Sequence, residues 1–371
     1  MTIAADYVVV GSGITGATVA RQLHDAGREV LILERRAMLG GNVADTVHEA
    51  SGIRFNLWGP HYFRTSSPRI WEYATRFADF WPYQARVLTV IDGQLEFWPL
   101  QRKFIERIAG ADWRPSFVGT PSNFEEACLS ILPKEIYTKA IQSYSEKQWG
   151  QPCTALSASL CKRFDIRDGD TRLTPNASYQ GIPRDSYTVW MANMLKGIPL
   201  RLAFDYCKRR KEVQARRRLI FTGPIDEYFG FELGRLAYRS QRRKHVYHAD
   251  RDLVLPAAQV NSPQHENGSH IRSLEWKQMM PPDMPTYGTI VTTETPYTPD
   301  DPDCYEYPMP DEENTRLYQE YRKLAGGQPG VIFCGRLGKY QYADMDQSIA
   351  SALVIADKLL GRGCPCVLCR C

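Results

Sequence analysis

The chain has 371 residues and a net charge of +4, with 43% hydrophobic and 24% charged residues. This length and composition are typical of a globular protein with more than one packed unit, and they exclude intrinsic disorder and collagen-like repeats. No apolar run approaches the roughly 18 residues that a membrane helix requires, and the first residues lack the pattern of a signal peptide. The basic clusters at 208–211, 216–218 and 242–244 lack interleaved aromatic residues, which favours solvated faces over a nucleic-acid surface. We therefore expect a cytoplasmic protein that binds neither membranes nor nucleic acid.

The first motif of the chain is a strand, a glycine-rich turn and a helix. A β-branched run ends at Gly11, the glycines continue with Gly13 and Gly16, and helix-forming residues follow. A second apolar strand ends at Glu34, about 20 residues beyond the glycines. In such a motif Gly11 permits the turn, Gly13 admits a pyrophosphate and Gly16 lets the helix pack on the strand, while Glu34 holds a ribose hydroxyl. The sequence therefore predicts a dinucleotide site.

A second glycine pair bears on the identity of the dinucleotide. Gly40, Gly41 and Asn42 follow the acidic strand end within a few residues and offer further backbone N–H groups to a long cofactor. This pattern favours bound FAD over NAD, the alternative being a plain Gly-Gly turn.

The rest of the chain is predicted as two further regions and a return to the first. Helical spacing at 104–149 indicates a small helical insertion, and the polar, irregular stretch at 158–183 is typical of a mobile loop. Residues 236–310 are predicted as short strands between turn residues. The remaining predicted elements are a helix at 187–197, a strand at 219–224, a buried strand at 331–334 and a helix capped by Asp344 or Asp346 that ends at Leu360.

The ten cysteines fall into two groups. Six are scattered without paired spacing, as expected for reduced thiols. The other four lie in the C-terminal tail at 364–371 with the spacing C-x-C-x-x-C-x-C, which could bind a soft metal but has no second pair of ligands and no folded segment behind it. The sequence favours a disordered tail, and we expect no metal site.

Six motifs, in order along almost the whole chain, resemble those of the UDP-galactopyranose mutases, flavoenzymes that interconvert the six- and five-membered ring forms of UDP-galactose. They are the opening GSGITG with ERR and GGN, GPHYFRT at 59–65, YSEKQWG at 144–150, YQGIP at 179–183, TGPID at 222–226, and the group formed by Gly335, Arg336, Leu337, Tyr340, Tyr342, Asp344 and Met345. The resemblance implies an α/β fold in which a Rossmann-like FAD-binding domain is joined by a small helical domain and an antiparallel β-sheet domain, with the substrate at their junction.

The resemblance also implies domain boundaries and partners. The FAD-binding domain would comprise 1–80, 184–225 and 326–363, and the helical domain 100–150. The antiparallel sheet domain would comprise 81–99, 151–183 and 226–325, with the mobile loop at about 158–178. One partner would be a UDP-sugar substrate. A second copy of the chain is a possible further partner, because the helical domain commonly forms the dimer contact in bacterial members of the family.

The reaction of the family uses FAD without net redox change. Reduced flavin, regenerated by a reductant such as NAD(P)H, attacks the anomeric carbon through N5 and displaces UDP; the N5-sugar adduct opens and recloses as the other ring form. Arginines and phenols hold the leaving diphosphate. The resemblance thus implies an isomerase of cell-surface glycan biosynthesis.

Individual residues take roles from the same motifs. His61, Arg163 and Arg272 would be catalytic, with Arg163 on the mobile loop. The residues implied to contact the cofactor are Gly11, Gly13, Ile14, Thr15, Gly16, Glu34, Arg35, Gly41, Asn42, Gly59, His61, Gly223, Arg336, Asp344 and Met345. Those implied to contact the substrate are Arg64, Tyr144, Trp149, Arg163, Tyr179, Arg272, Tyr307 and Tyr342.

Three positions depart from the family pattern where sugar and phosphates would lie. Arg64 stands in place of a histidine, and Trp58 and Thr174 each stand where a tyrosine is usual. The guanidinium of Arg64 can donate to an acetamido carbonyl, which leaves an N-acetylated or deoxy nucleotide sugar as an alternative substrate; the side chain could equally turn away and pair with an acidic residue. An amine-oxidase-type FAD oxidoreductase and a flavin-binding protein without catalysis also remain open, since both would share the glycine motif.

Overall fold

The structure is a computed structural model that describes residues 3–362, except for the side chain of Arg163. The predicted Cys-rich tail at 364–371 lies outside these residues. The strands are β1 (Ile3–Val10), β2 (Val30–Leu33), β3 (Asp45–Val47), β4 (Arg54–Asn56), β5 (Phe63–Thr65), β6 (Phe80–Trp81), β7 (Val87–Ile91), β8 (Gln94–Trp98), β9 (Tyr179–Pro183), β10 (Leu200–Arg201), β11 (Val213–Phe221), β12 (Tyr238–His248), β13 (Gln259–Asn261), β14 (Arg272–Glu275), β15 (Thr289–Tyr297), β16 (Tyr307–Pro308) and β17 (Val331–Phe333). The α-helices are α1 (Ile14–Asp25), α2 (Pro68–Thr75), α3 (Arg102–Ala109), α4 (Phe124–Leu129), α5 (Lys134–Tyr137), α6 (Ser143–Trp149), α7 (Tyr187–Leu195), α8 (Tyr206–Arg209), α9 (Ile225–Tyr228), α10 (Glu312–Gly326), α11 (Gly335–Gly338) and α12 (Met345–Leu359).

A parallel sheet in the order β10-β2-β1-β11-β17 forms the Rossmann-like part of the molecule. All four residues of β2 are buried, because the strand lies inside the sheet and is covered on both faces. Helices α1, α7 and α12 pack together on one face, where Val19, Leu23, Trp190 and Leu353 share a core. The predicted α/β fold with a Rossmann-like domain is confirmed, and the glycine motif lies between β1 and α1 as expected.

The second large sheet has seven strands in the order β16-β12-β15-β14-β13-β7-β8. Every pair is antiparallel except β13 and β7, which run parallel. Strands β12 and β15 span 11 and 9 residues, longer than the short strands that the sequence predicted. Because successive side chains alternate between faces, residues opposite one another in register line up in rows across this sheet.

Helices α3 to α6 occupy the region predicted as a helical insertion and have their own core. Phe104, Phe124, Ile136 and Ile141 are buried together there. Asn123 begins α4 as its N-cap and accepts a hydrogen bond from the Glu126 backbone N–H at 3.0 Å. This core reaches the polar loop, since Leu160, Cys161 and Phe164 pack against it.

The stretch at 158–183 is more ordered than a plain loop. It begins with a 3₁₀ helix, Ala158–Arg163, and Arg167 and Arg172 then make isolated bridges to Gln101 and Arg86. It ends in β9, which joins β5 and β6 in a three-stranded sheet. The sequence analysis missed these strands because each is only two to five residues long and pairs with a segment far along the chain.

The chain closes on its first sheet through β17 and α12. Asp344 is the N-cap of α12, and its backbone N–H donates to Gln347 Oε1 at 3.0 Å, so the capped helix predicted here is confirmed. The six cysteines within residues 3–362 are free thiols. Over the same residues, we find no helix with the length and apolarity to cross a bilayer.

Candidate active site

The ends of β1, β2 and β11 border a cleft whose floor is built from glycine. Gly11 follows β1 with a φ of +102°, and a Cβ atom at Gly16 would lie 2.1 Å from the Gly11 carbonyl oxygen. A Cβ atom at Gly41 would lie 2.8 Å from the Cα of Gly13, so two backbone segments approach each other with no room for side chains. This leaves the N-terminus of α1 open to a phosphate. About 1120 Å³ of space, part of it open to solvent, lies along the glycine segments and Glu34, and this lining suits an elongated dinucleotide such as FAD.

Glu34 is fixed at one wall of this cleft. Its Oε2 accepts hydrogen bonds from the Ser12 backbone N–H at 2.8 Å and the Ser12 hydroxyl at 2.7 Å, and its Oε1 accepts from the Arg36 N–H at 2.9 Å. The Arg36 guanidinium lies 4.1 Å from the ring centre of Trp58 and donates to Asn42 Oδ1 at 3.0 Å. Glu34 therefore binds the first glycine segment through Ser12 and is linked to the second, at 40–42, through Arg36.

Arg35 lies beside Glu34 in a group of acidic residues. Its guanidinium contacts Glu227 at 2.5 Å and Asp303 at 3.1 Å. Burial would lower the pKa of Arg35, but these carboxylates outweigh it and hold the pKa above its usual value. Glu227 also lies within 4.8 Å of ligand atoms of Asp205 and Cys207. Because Arg35 already neutralises Glu227, this group carries no metal assignment.

Most residues that the sequence analysis assigned to the cofactor line this cleft, and two do not. Those that line it are Gly11, Gly13, Ile14, Thr15, Gly16, Glu34, Arg35, Gly41, Asn42, His61, Gly223, Arg336 and Met345. Gly59 lies instead behind His61, and the Asp344 side chain points away to Arg64. The lining also includes residues that the sequence analysis did not assign, among them Arg36, Phe204, Tyr206, Thr222, Asp303 and Ser348.

His61 reaches the inner part of the cleft as a neutral ring. Its Nδ1 lies 2.8 Å from the Gly59 carbonyl oxygen. A carbonyl only accepts, so Nδ1 carries the hydrogen and Nε2 has a free electron pair. Burial, with help from the positive charge of Arg336, lowers the pKa of His61 to about 3. The ring therefore offers a hydrogen-bond acceptor at neutral pH.

A second pocket, with about 1090 Å³ of empty volume, lies against the inner face of the seven-stranded sheet. Its lining includes Tyr144, Trp149, Arg272, Tyr307 and Tyr342, all assigned to the substrate from sequence. Gly59 connects it to the cleft, because a Cβ atom at Gly59 would lie 3.2 Å from Glu294 and 3.3 Å from Arg272. The two pockets are therefore neighbours.

One row of the sheet holds the charges of this pocket. Arg272 in β14 is opposite Glu294 in β15, which is opposite Arg243 in β12, and their side chains form ion pairs. Arg243 also binds both oxygens of Glu306 at 2.7 and 2.9 Å. Glu294 is fully buried and Arg243 is 7% exposed. The prediction of a solvated face at 242–244 is therefore wrong for Arg243, which points inward because side chains alternate along β12.

These pairs keep Arg272 charged. Burial would lower its pKa, but Glu294 and neighbouring phenols outweigh burial and hold the pKa well above its usual value. Conversely, burial would raise the pKa of Glu294, and Arg272 and Arg243 together lower it. The pocket thus has a permanent cation beside a fixed carboxylate.

Helix α6 carries Tyr144 and Trp149 to the same pocket. Arg239 in β12 donates from Nε to the Gln148 carbonyl at 2.7 Å and from Nη2 to the Lys147 carbonyl at 2.9 Å. A cation bound to the last carbonyls of a helix satisfies them and complements the helix dipole. The orientation of both aromatic rings therefore depends on a helix end held by the sheet.

Two phenols and Arg336 stand where the two pockets meet. The rings of Tyr307 and Tyr342 are stacked with centres 6.1 Å apart and planes 11° apart. Arg336 lies 4.6 Å from the centre of the Tyr342 ring and donates to the Glu306 carbonyl at 3.1 Å. Burial raises the pKa of Tyr307 to about 12, so its hydroxyl keeps its hydrogen at neutral pH and can donate to an anion.

Two of the residues assigned to the substrate, Tyr179 and Arg64, do not line this pocket, and a third, Arg163, is described only by its backbone. Tyr179 stacks on Trp71 at 5.4 Å because its side chain lies on the face of β9 that meets α2. Arg64 pairs with Asp344 at 3.0 Å. Arg163 ends a 3₁₀ helix beside the pocket residues Leu160 and Phe164, and its side chain lies outside what is described.

Sequence reasoning missed other residues of this pocket. They include Thr89, Trp98, Phe124, Gln148, Phe164, Gln259 and Asn261 in its lining, and Arg243 and Glu294 behind Arg272. Alternation along the strands was the available signal, but it does not reveal which strands are neighbours.

Comparisons with known proteins agree with this geometry. The sequence profile described as UDP-galactopyranose mutase matches residues 139–342, and one for NAD(P)-binding Rossmann-like domains matches 9–77. A probable UDP-galactopyranose mutase of Klebsiella pneumoniae is 29% identical, covering 96% of this chain and 94% of that protein. A dTDP-fucopyranose mutase of Escherichia coli is 28% identical, covering 94% and 97%. A solved structure of reduced UDP-galactopyranose mutase superposes with a TM-score of 0.70 at 15% identity, covering 97% of this chain and 94% of that one.

The fold and the glycine-lined cleft define a Rossmann-type flavoprotein. Because the first profile spans more than half of the chain, the protein belongs to the UDP-galactopyranose mutase family, a family of isomerases. The resemblance drawn from the six motifs is confirmed.

Two glycines allow a test of the cofactor cleft. In Gly16→Ala the added methyl group would meet the Gly11 carbonyl, so we expect the thermal midpoint to fall by several degrees. In Gly13→Ala the nearest protein atom is 3.8 Å away, so the flavin-free protein should melt within about 2 °C of wild type while FAD content falls steeply. Gly13→Ala purified with a full complement of FAD would contradict this placement of the pyrophosphate.

The lowered pKa of His61 predicts a pH effect on stability. The unfolded chain takes up a proton on this ring below about pH 6.5, whereas the folded protein resists it, so the stability that depends on neutral His61 is complete above pH 6.5 and falls with the pH. Between about pH 7 and about pH 5 the thermal midpoint of wild type should fall more than that of His61→Asn, whose amide can donate to Gly59 without titrating. Parallel pH curves for the two proteins would show that His61 is not held neutral.

Proposed function

We propose that the protein interconverts the pyranose and furanose forms of a UDP-sugar of the UDP-galactose type, with FAD in the glycine-lined cleft. One observation carries the proposal: a permanently charged arginine, Arg272, stands with two phenols in a pocket that adjoins the cofactor cleft. A diphosphate that leaves and returns needs cations and donors that keep their charge and hydrogens, and this pocket supplies both.

The residues of the cleft suit FAD. Gly13 and Gly41 would face its pyrophosphate, and Glu34 its ribose. Reduced FAD would supply the electron pair at N5 that attacks the anomeric carbon, with a reductant such as NAD(P)H maintaining that state. His61 would offer the Nε2 electron pair to a donor on the flavin or the sugar.

The second pocket would hold the nucleotide. Arg272, Tyr307 and Tyr342 would bind the diphosphate, and Arg163 would approach it from the loop at 158–178. Tyr144 and Trp149, on a helix whose end is fixed by Arg239, would form the wall for the base. These side chains bind and orient the diphosphate, so that it remains in place while it is detached from the sugar.

The sugar itself is the open part of the proposal. The relative named as a dTDP-fucopyranose mutase is about as similar to this chain as the mutases named for UDP-galactose. An N-acetylated or deoxy nucleotide sugar is therefore the alternative substrate.

The experiment is an assay of ring interconversion with and without reduction. The purified protein is incubated with UDP-galactose, UDP-N-acetylgalactosamine and dTDP-fucose, and the pyranose and furanose products are separated by chromatography. We expect interconversion of at least one sugar after reduction with dithionite, and none with fully oxidised flavin, because only reduced N5 has the nucleophilic electron pair. Equal turnover with oxidised flavin would contradict the mechanism, and consumption of oxygen with an amine would favour an oxidoreductase.

A further inference from the structure

Arg64 departs from the family pattern, and its contacts suggest how it acts. It lies in β5 with its Nη2 atom 3.0 Å from Asp344 Oδ2, and both side chains are about one-third exposed, at 32% and 31%. Arg64 is not among the residues that line the cofactor cleft or the substrate pocket. Its guanidinium is therefore bound to a protein carboxylate, and any effect on substrate passes through that carboxylate.

The other oxygen of Asp344 contacts a residue that lines the substrate pocket. The Tyr342 hydroxyl donates to Asp344 Oδ1 at 3.1 Å, so one carboxylate joins the guanidinium of Arg64 to a phenol of the pocket lining. The ring of Tyr342 is held by Tyr307 on one side and by Arg336 near its face. The ring is fixed and its hydroxyl has a single hydrogen, which is donated to Asp344 here, so Tyr342 can donate to a diphosphate only when Asp344 releases that hydrogen.

The backbone from 342 to 345 explains why Asp344 can do this. Tyr342 lines the substrate pocket, whereas Ala343 and Met345 line the cofactor cleft. Asp344 faces neither: its backbone N–H is bound by Gln347 at the start of α12, and its side chain extends toward β5. Residues 342–345 therefore form the border between the two pockets. Arg64, which lines neither pocket, binds Asp344, the acidic residue of this segment.

We propose that Arg64 is a positioning residue for the diphosphate site: by pairing with Asp344, it weakens the hold of that carboxylate on the Tyr342 hydrogen, so that the hydroxyl can turn to the diphosphate when the nucleotide binds, and it does not select the sugar by direct contact. The inference rests on the proposed function, because it assumes that Tyr342 binds the nucleotide diphosphate. A guanidinium suits this role since it stays charged at all relevant pH values and holds a carboxylate oxygen in a fixed direction.

A double-mutant cycle on UDP binding tests the proposal. The dissociation constant for UDP is measured by calorimetry on the FAD-bound protein for wild type, Arg64→Gln, Tyr342→Phe and the double variant. Arg64→Gln should weaken UDP binding roughly three- to tenfold, the range for a lost hydrogen bond, and should add less than about twofold to the effect of Tyr342→Phe. Arg64→Lys, which keeps a cation for Asp344, should recover part of the affinity.

The matched control is Arg69→Gln. Arg69 pairs with Asp357 at 3.1 Å between α2 and α12, a surface ion pair of the same kind that does not line either pocket. It should leave the UDP dissociation constant unchanged. FAD content and thermal midpoint, measured for every variant, show whether a loss of binding comes from a misfolded protein.

Three outcomes would overturn the inference. Additive effects of Arg64→Gln and Tyr342→Phe would show that Arg64 does not act through Tyr342. Unchanged UDP affinity in Arg64→Gln, with an altered ratio of kcat/KM for UDP-galactose and UDP-N-acetylgalactosamine, would show direct contact with the sugar. Unchanged affinity and an unchanged ratio would show an ion pair without a role in the site. Failure of wild type to bind UDP or dTDP would be a different result, because it would reject the proposed function and this inference with it.

Discussion

The buried ion pairs of Arg243, Glu294 and Arg272 are the constraint on which the second pocket, the proposed substrate site, depends. Glu294 is fully buried and faces two cations on neighbouring strands, so its charge is compensated by these guanidiniums and not by water. Removing one member of such a group leaves a buried charge without a partner, which typically costs about 3–5 kcal/mol. The register of β12, β14 and β15 brings these residues into line, and the sheet therefore determines where Arg272 enters the pocket.

The same group reaches the cofactor side through Glu306. Its carboxylate binds Arg243, while its backbone carbonyl accepts from Arg336 in the cofactor cleft. Gly59 provides a second link between the two sides. It lies against Glu294 and Arg272, and its carbonyl oxygen accepts a hydrogen bond from His61 Nδ1. Arg272 in the second pocket and the neutral ring of His61 in the cofactor cleft are thus held in one connected arrangement, as the proposed reaction at the boundary of two ligands requires.

The parts that the sequence predicted were those with contiguous signals. The glycine motif, β2, Glu34 and the capped helix that starts after Asp344 each depend on residues near one another, and the structure has all of them. The pairing of Arg243 with Glu294 joins residues 51 positions apart, and alternation along the strand sets Arg243 apart from its two neighbours without showing which strand or charge it faces. For the same reason Tyr179 could not be placed: its motif resembles the family, but the direction of its side chain follows from the pairing of β9 with β5.

A double-mutant cycle on thermal unfolding tests the central claim, that Glu294 and Arg272 stabilise each other as a buried pair. Glu294→Gln and Arg272→Met should each lower the thermal midpoint by several degrees, since the first leaves Arg272 without its carboxylate and the second leaves the fully buried Glu294 with only one of its two cations. The double variant should lose less than the sum of the two, with a coupling of roughly 1.5–3 kcal/mol, because it removes both members together. Strictly additive losses would contradict the account and would mean that Arg272 is held in the pocket by something other than Glu294.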